Sequence, residues 1–148
     1  MIQVRQATVF DMYLLVPLFD AYRQFYRKPS DPGLARSFLI ERFQHNESII
    51  FVAMQQDGSA AGFTQLFPSF SSASAARILI LNDLFVNPEA RRQKVGSLLL
   101  AAAVRYGREV GAVRLTLSTE VTNETAQALY EREGWVRQEE FYNYNLTL

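Results

Sequence analysis

The sequence predicts one α/β (α+β) domain over residues 1–148, with a mixed, mostly antiparallel twisted sheet of six to seven strands and helices on both of its faces. Three observations support this prediction. The length of 148 residues suits a single hydrophobic core. The chain is 49% hydrophobic and 13% aromatic, which excludes a disordered protein. Apolar residues recur at a period of two in some segments and at spacings of three and four in others, as in a protein that mixes strands and helices.

The start of the chain predicts a short strand and two helices. Residues 2–6 alternate apolar and polar side chains, which is typical of a strand. From Met12 the apolar positions recur at spacings of three and four, which indicates an amphipathic helix; Pro17 either kinks this helix or delays its start. Asp31 provides an N-cap for a second helix that continues to about Gln44.

Three strands are predicted next. Residues 48–55 and 61–70 are strand-like, and the Asp57-Gly58 pair between them is a strong hairpin signal because both residues tolerate positive φ. Residues 77–86 are almost continuously apolar, as expected of a central strand that is buried on both faces.

The second half of the chain predicts a strand, helix and strand unit followed by further elements. A long helix is expected over residues 94–111 and a strand over 113–118, and a crossover of this kind makes the two flanking strands parallel. A further helix is expected over residues 122–133. Two closing strands are expected over residues 135–140 and 141–148.

Composition and charge exclude several classes of function. Lys plus Arg and Asp plus Glu each number 15, and this balance argues against a general nucleic-acid binder. The absence of cysteine excludes disulfides and thiol nucleophiles, and the single histidine provides too few ligands for a histidine-based metal site. Neither a targeting signal nor an apolar run of about 18 residues is present, so we expect a soluble, cytoplasmic protein without a membrane partner.

The segment of residues 87–97 joins the buried strand to the long helix and has the features of an anion site. Pro88 turns the chain, and the helix that follows begins with outward-pointing amides and the positive end of its dipole. Arg91, Arg92 and Lys94 add positive charge, which suits a phosphate or pyrophosphate. An ordinary helix start with solvated arginines is the equally weighted alternative. The phosphate-binding glycine motifs of nucleotide hydrolases and dinucleotide enzymes are missing.

The same segment resembles the signature of the Gcn5-related N-acetyltransferase (GNAT) family, (Arg/Gln)-x-x-Gly-x-(Gly/Ala) after a strand that ends in Val-x-Pro. The residues at those places are Val86, Pro88, Arg91, Val95 and Gly96. Lys94 stands where the family usually has its first glycine, so the backbone there must be one that a residue with a side chain can adopt. Residues 123–135 resemble a second family element, Asn-x-x-Ala-x-x-x-Tyr-x-x-x-Gly-(Phe/Trp), without a mismatch.

This resemblance implies a GNAT-like fold with a splayed parallel strand pair and acetyl transfer from acetyl-CoA to a primary amine. The pyrophosphate would lie on the amides of residues 92–97, the pantetheine arm would lie along Phe85 and Val86, and the N–H of Leu84 would polarise the thioester carbonyl. Asn123 would hydrogen-bond the cofactor arm. The implied cofactor-binding residues are Leu84, Phe85, Val86, Arg91, Arg92, Gln93, Lys94, Val95, Gly96, Ser97, Asn123 and Tyr130.

The resemblance also implies catalytic roles. The Tyr130 hydroxyl would assist the leaving thiolate, although its spacing equally suits an aromatic residue that packs on the sheet. Asp83 is the leading candidate for the base that takes a proton from the amine, and Glu120 is the alternative. An equally weighted alternative is that these two carboxylates only bind a cationic substrate or accept hydrogen bonds from nearby backbone amides. Some family members that acetylate polyamines have a Glu where this chain has Asn82.

Acceptor recognition in the family belongs to the region between the first two helices and to the loop before the central strand. The expected substrate-binding residues are Tyr22, Tyr26, Asn82 and Asp83. The tyrosine rings could hold an ammonium group through cation–π contact, assisted by carboxylates, although core packing is an alternative for one ring. The carboxylates considered are Asp20, Asp31 and Asp83.

Two functions from different classes remain at this point. The first is an acetyltransferase that acts on a small amine or on a protein lysine, and the second is a non-catalytic module that binds acyl-CoA. The presence of Tyr130 and Asn123 favours the enzyme, whereas Lys94 and Asn82 depart from the family pattern and leave the non-catalytic module as an alternative. The aromatic residues of segment 141–148 would allow the last strand to pair with the same strand of a second copy and form a homodimer. The alternative is that this strand packs on its own sheet.

Overall fold

A computed structural model describes residues 1–91 and 93–148. These residues form two compact units, Met1–Ser118 and Thr119–Leu148. The strands are β1 (Gln3–Gln6), β2 (Ile49–Met54), β3 (Ala60–Ser71), β4 (Ala76–Val86) and β5 (Leu115–Thr116). The helices are α1 (Met12–Phe25), α2 (Pro32–Gln44), α3 (Val95–Glu109) and α4 (Glu124–Arg132), with short 3₁₀ turns at Val9–Asp11 and Pro88–Ala90.

The first unit contains a mixed sheet in the order β1-β2-β3-β4-β5. Strands β1 to β4 are antiparallel to their neighbours, and β5 runs parallel to β4. The α3 crossover between β4 and β5 explains this parallel pair. Among the described residues the sheet has five strands in place of the predicted six to seven.

The difference in strand number arises at the end of the chain. Residues 135–148, where two strands are predicted, contain no regular secondary structure. Tyr142 and Tyr144 are 91% and 90% exposed, so the end of this segment buries no apolar face. Alternating aromatic residues favour a strand only where a partner strand supplies hydrogen bonds and a surface to pack against.

Local signals set the starts of α1 and α2. A capping box at Thr8 and Asp11 precedes α1, which begins at Met12 and continues through Pro17; the delayed start is therefore wrong. Asp31 caps α2 by accepting a hydrogen bond from the N–H of Leu34 at 3.1 Å.

Two apolar cores lie on opposite faces of the sheet. Phe85 of β4 packs into the core built with α1 and α2. Its neighbours Leu84 and Val86 pack against the other core, which contains Val95 and Leu99 of α3. This alternation follows from the period of two in a strand. It places β4 between the helices of both faces.

Within the described part of the chain, none of the helices is both long and apolar enough to cross a bilayer.

Candidate active site

The centre of the site is an irregularity in β4. Gln65 pairs with Asp83 and Leu66 pairs with Leu81, so Asn82 is an extra residue opposite the β3 strand. An extra residue of this kind is a β-bulge, which bends its strand. It also shifts the alternation of the backbone by one residue, so the odd-numbered residues face one neighbouring strand before the bulge and the other neighbouring strand after it.

Hydrogen bonds on the two sides of the bulge show the reversal. Before it, the N–H of Leu79 donates to Arg114 and the carbonyl of Arg77 accepts from Val113, so odd-numbered residues face β5. After it, the N–H of Asn87 donates to the carbonyl of Ala61 on the β3 side.

Because strand residues alternate, the backbone groups of Leu84 and Val86 are directed away from β3. The parallel register ends at the pair Ile80 and Thr116, so in the described residues β4 continues to Val86 without β5 alongside. The strand therefore presents a free backbone edge at Leu84 and Val86.

A cavity of about 280 Å³ opens between α1, α2, β3 and β4. Aromatic rings form much of its wall, and the remaining lining groups are polar or charged. The lining residues are Phe19, Tyr22, Arg23, Tyr26, Lys28, Phe38, Gln65, Phe67, Asn82 and Asp83. All four predicted substrate-binding residues therefore lie on this one cavity.

Asp83 is the buried carboxylate of this cavity, with an exposed fraction of 2%. Its Oδ1 accepts a hydrogen bond from Nδ2 of Asn82 at 2.8 Å, and its Oδ2 accepts one from Nε2 of Gln65 at 2.6 Å. Burial raises the pKa of Asp83 above its ordinary value of 3.8, and hydrogen bonds from Asn82, Gln65 and Tyr22 offset this only in part. A carboxylate with a raised pKa is suited to general base catalysis.

The two predicted tyrosines contribute both to packing and to the cavity. Tyr22 stacks on Phe19 with ring centroids 6.1 Å apart, and Tyr26 meets Tyr22 edge-on at 5.1 Å. The hydroxyl of Tyr22 also donates to the backbone carbonyl of Asn82 at 3.1 Å, which links α1 to the bulge. The ring of Tyr22 is therefore held in one orientation beside Asp83.

The other two carboxylates considered for the ammonium group hold the α1–α2 loop instead. Asp20 accepts hydrogen bonds from Oγ of Ser30 at 2.7 Å and from the N–H of Asp31 at 2.8 Å, and these bonds lower its pKa. Asp31 caps α2. Of the three carboxylates, only Asp83 lines the cavity.

The predicted phosphate segment begins α3. Lys94 adopts the left-handed conformation, with φ 60° and ψ 25°, at the N-cap of the helix and makes no side-chain cap. The residue that replaces the family glycine thus keeps a backbone that glycine favours. The side chains of Arg91, Gln93 and Lys94 are exposed.

The remaining residues of this segment differ in what they offer a ligand. Gly96 and Ser97 are half-buried in the first turn of α3, whereas the Val95 side chain belongs to the core, so only its backbone N–H is available. Arg92 lies outside the described residues.

Three predicted site residues belong to the second unit. Oδ1 of Asn123 accepts from the N–H of Ala126 at 3.1 Å and so caps α4. Tyr130 is half-buried on α4, with its ring centroid 6.1 Å from that of Trp135. The backbone carbonyl of Glu120 accepts hydrogen bonds from Asn123 and Gln127. Their roles toward a ligand remain predictions.

Sequence reasoning missed several residues of the cavity, of which Gln65 is the most informative. It is fully buried in β3, directly opposite Asp83 in the sheet. A polar side chain inside an apolar strand was the available signal. Arg23, Phe38 and Phe67 gave no such signal, because only the tertiary fold brings them to one cavity.

No group of three His, Cys, Asp or Glu side chains that could hold a metal ion occurs in the residues that the structure describes.

Comparison with known proteins gives consistent matches. A family model described as "Acetyltransferase (GNAT) family" matches residues 15–135. The uncharacterized N-acetyltransferase YhfO of Bacillus subtilis (strain 168) is 46% identical over 145 residues, covering 98% of this chain and 97% of that protein. A crystal structure of a probable acetyltransferase has a TM-score of 0.93 at 46% identity, covering 99% of this chain and 97% of the other.

A more distant structure shares the fold. The aminoglycoside N-acetyltransferase AAC(6')-Iy in complex with CoA has a TM-score of 0.84 at 20% identity, covering 100% of this chain and 96% of the other.

Proposed function

Because this chain belongs to the GNAT family of acetyltransferases, we propose that it transfers the acetyl group of acetyl-CoA directly to a primary amine bound in the cavity beside Asp83. The observation that carries this proposal is the position of a buried carboxylate in an aromatic cavity, one residue before the free edge of β4. A cationic amine and an extended ligand can approach that point from different sides.

The residues at the free edge and at the start of α3 fit the two parts of acetyl-CoA. The backbone groups of Leu84 and Val86 can pair with an extended pantetheine arm as an added strand would. The first-turn amides of α3, which has no side-chain cap, suit the pyrophosphate. Arg91 and Lys94 add positive charge beside it, and we assign Arg92 the same role.

The carboxylate and the backbone N–H then have separate tasks in the transfer. Asp83 takes a proton from the ammonium group, and the free amine nitrogen bonds to the acetyl carbon while the carbon–sulfur bond breaks. The N–H of Leu84 stabilises the negative charge that develops on the carbonyl oxygen. We propose that Tyr130 gives a proton to the departing thiolate and regains one from the nitrogen of the new amide, which loses its second proton in this way, and that Asn123 holds the cofactor arm. Glu120 is the alternative base.

The size of the cavity supports a small-molecule acceptor over a protein lysine. A volume of about 280 Å³ is at the lower end of ligand pockets. Aromatic rings on several sides leave room for an amine on a short chain. A lysine side chain on a flexible peptide is the second acceptor to test.

The proposal is tested by following thiol release from acetyl-CoA in the presence of single amines. We expect Asp83→Asn and Tyr130→Phe each to lower kcat by about a hundredfold or more. The matched control Asp57→Asn, in the exposed β2–β3 turn, should retain the parent rate. In the parent enzyme, kcat/KM should fall as the pH drops through the raised pKa of Asp83, because the base is then protonated.

Two outcomes would contradict parts of this assignment. Binding of acetyl-CoA without thiol release for any amine or lysine peptide would favour a non-catalytic module. A normal rate for Asp83→Asn with a large loss for Glu120→Gln would move the base to Glu120.

A further inference from the structure

Two residues that line the cavity each carry one buried side-chain atom without a hydrogen-bond partner within the described residues. These atoms are the side-chain oxygen Oε1 of Gln65 and the guanidinium nitrogen Nη1 of Arg23. A buried polar atom without a partner is unfavourable, so unpaired atoms beside a cavity mark positions where a ligand can supply the missing bond. One atom is an acceptor and the other is a donor.

The Gln65 oxygen requires a donor from the ligand. Because Nε2 of Gln65 donates to Asp83 at 2.6 Å, the amide is held with Oε1 as its unpaired end. An ammonium group has three N–H donors and no acceptor. It can therefore bond to Oε1 of Gln65 and to the Asp83 carboxylate at the same time.

The Arg23 nitrogen requires an acceptor from the ligand. Hydrogen bonds from Ser30 and Asp31, and to a lesser extent the charge of Arg23, lower the pKa of the Asp20 carboxylate. That carboxylate already accepts hydrogen bonds from Ser30, Asp31 and Gln24. Lys28 also lines the cavity, so two cations face the same space. A guanidinium group matches the planar oxygens of a carboxylate or phosphonate.

We propose that the acceptor is a small amine that also carries an anionic group, with its ammonium at Gln65 and Asp83 and its carboxylate or phosphonate at Arg23 and Lys28. This inference rests on the proposed function and specifies its substrate class. It assigns Gln65 and Arg23 as specificity-determining residues. The cavity of about 280 Å³ accommodates such a molecule.

The test compares each amino acid with its own amide, which keeps the amine and the chain and removes the negative charge. The panel contains glycine, β-alanine and γ-aminobutyrate, the three amides, and an aminoalkylphosphonate with its parent alkylamine. For the parent enzyme we expect the best acid to exceed its amide about tenfold or more in kcat/KM, as for a charge-assisted hydrogen bond.

Variants of Arg23 show whether the preference depends on the guanidinium. Arg23→Met should reduce the ratio of acid to amide to about one, and Arg23→Lys should restore part of it. The matched control Arg36→Met, on the exposed side of α2, should keep the ratio of the parent enzyme. Protection of the parent against thermal unfolding by the preferred acid, but not by its amide, provides a readout that does not depend on catalysis.

The possible failures are distinguishable. Equal kcat/KM for acids and amides, with normal thiol release, would overturn this inference and leave the acetyltransferase proposal intact. An unchanged ratio of acid to amide kcat/KM in Arg23→Met would also overturn this inference. If none of the amines in the panel supported thiol release, the proposed function and this inference would be rejected together.

Discussion

At the scale of single residues, Lys94 combines an unfavourable backbone with a favourable charge. Its φ of 60° costs a residue with a side chain about 1 kcal/mol relative to glycine. Lys94→Gly should therefore raise the free energy of unfolding by up to about 1 kcal/mol while the KM for acetyl-CoA rises a few-fold through loss of a phosphate contact.

Urea unfolding and initial rates measure these two effects of Lys94 separately. Lys94→Ala is the matched control, because it loses the charge but keeps the strained backbone. It should show the change in KM without the gain in stability. Equal stability for the glycine and alanine variants would contradict the assignment of strain.

Asp83 links the site to the pH dependence of folding. Its pKa is raised in the folded protein, so between its ordinary value of 3.8 and the raised value the folded state binds a proton that the unfolded state releases. Its contribution to stability is complete below the lower value and is lost as the pH rises through the upper one. The stability of Asp83→Asn relative to the parent should therefore increase with pH.

Denaturant unfolding of both proteins from about pH 4 to about pH 8 measures this difference. The asparagine variant cannot titrate and supplies the reference curve. A difference that stays constant, or that decreases with rising pH, would show that burial does not raise the pKa of Asp83.

At the scale of elements, Gly62 of β3 lies against the backbone of β4 and leaves no room there for a side chain. A Cβ atom there would overlap the carbonyl oxygen of Phe85 and lie 3.1 Å from Cα of Val86, and neither backbone atom can move without shifting the edge of β4. We expect Gly62→Ala to lower the free energy of unfolding by about 1–3 kcal/mol and to reduce turnover.

Gly107 of α3 provides the control. A Cβ there would lie 2.6 Å from the Cδ1 atom of Leu115, which is the end of a flexible side chain. Alanine also gains about 1 kcal/mol of helix propensity over glycine. Gly107→Ala should therefore be close to neutral, and a loss as large as that of Gly62→Ala would show that β4 is not specifically constrained.

The same elements show what could be predicted from the sequence. The α2 helix and the β2–β3 hairpin depend on local signals, namely the Asp31 cap and Gly58 with φ 87°, and both are present. The bulge at Asn82 depends on how β3 and β4 pair, so the sequence of β4 alone could not show it. Gln65 enters the site for the same reason, since its importance comes from its partner Asp83 in the neighbouring strand.

At the scale of the whole molecule, zero net charge conceals local concentrations of charged groups in the first unit. Arg91 and Lys94 lie at the start of α3, whereas the cavity holds the Asp83 carboxylate together with Arg23 and Lys28. The proposed cofactor and acceptor sites are therefore both charged. We expect the KM for acetyl-CoA to rise with added salt, because the exposed charges of Arg91 and Lys94 are screened, and the KM for the acceptor to rise less, because Asp83 is buried.

The second unit ends in a segment whose apolar side chains are unusually exposed for a folded protein, among them Phe141, Tyr142 and Tyr144. We predict that a second copy of the chain covers this segment, so light scattering should give the mass of a dimer. Replacing Tyr142 and Tyr144 together by serine should give a monomer, because the paired chains would lose aromatic contact. Tyr13→Ser, an exposed tyrosine on α1, is the matched control and should remain dimeric. If light scattering showed the parent protein to be a monomer at every concentration, the prediction that a second copy covers this segment would be contradicted.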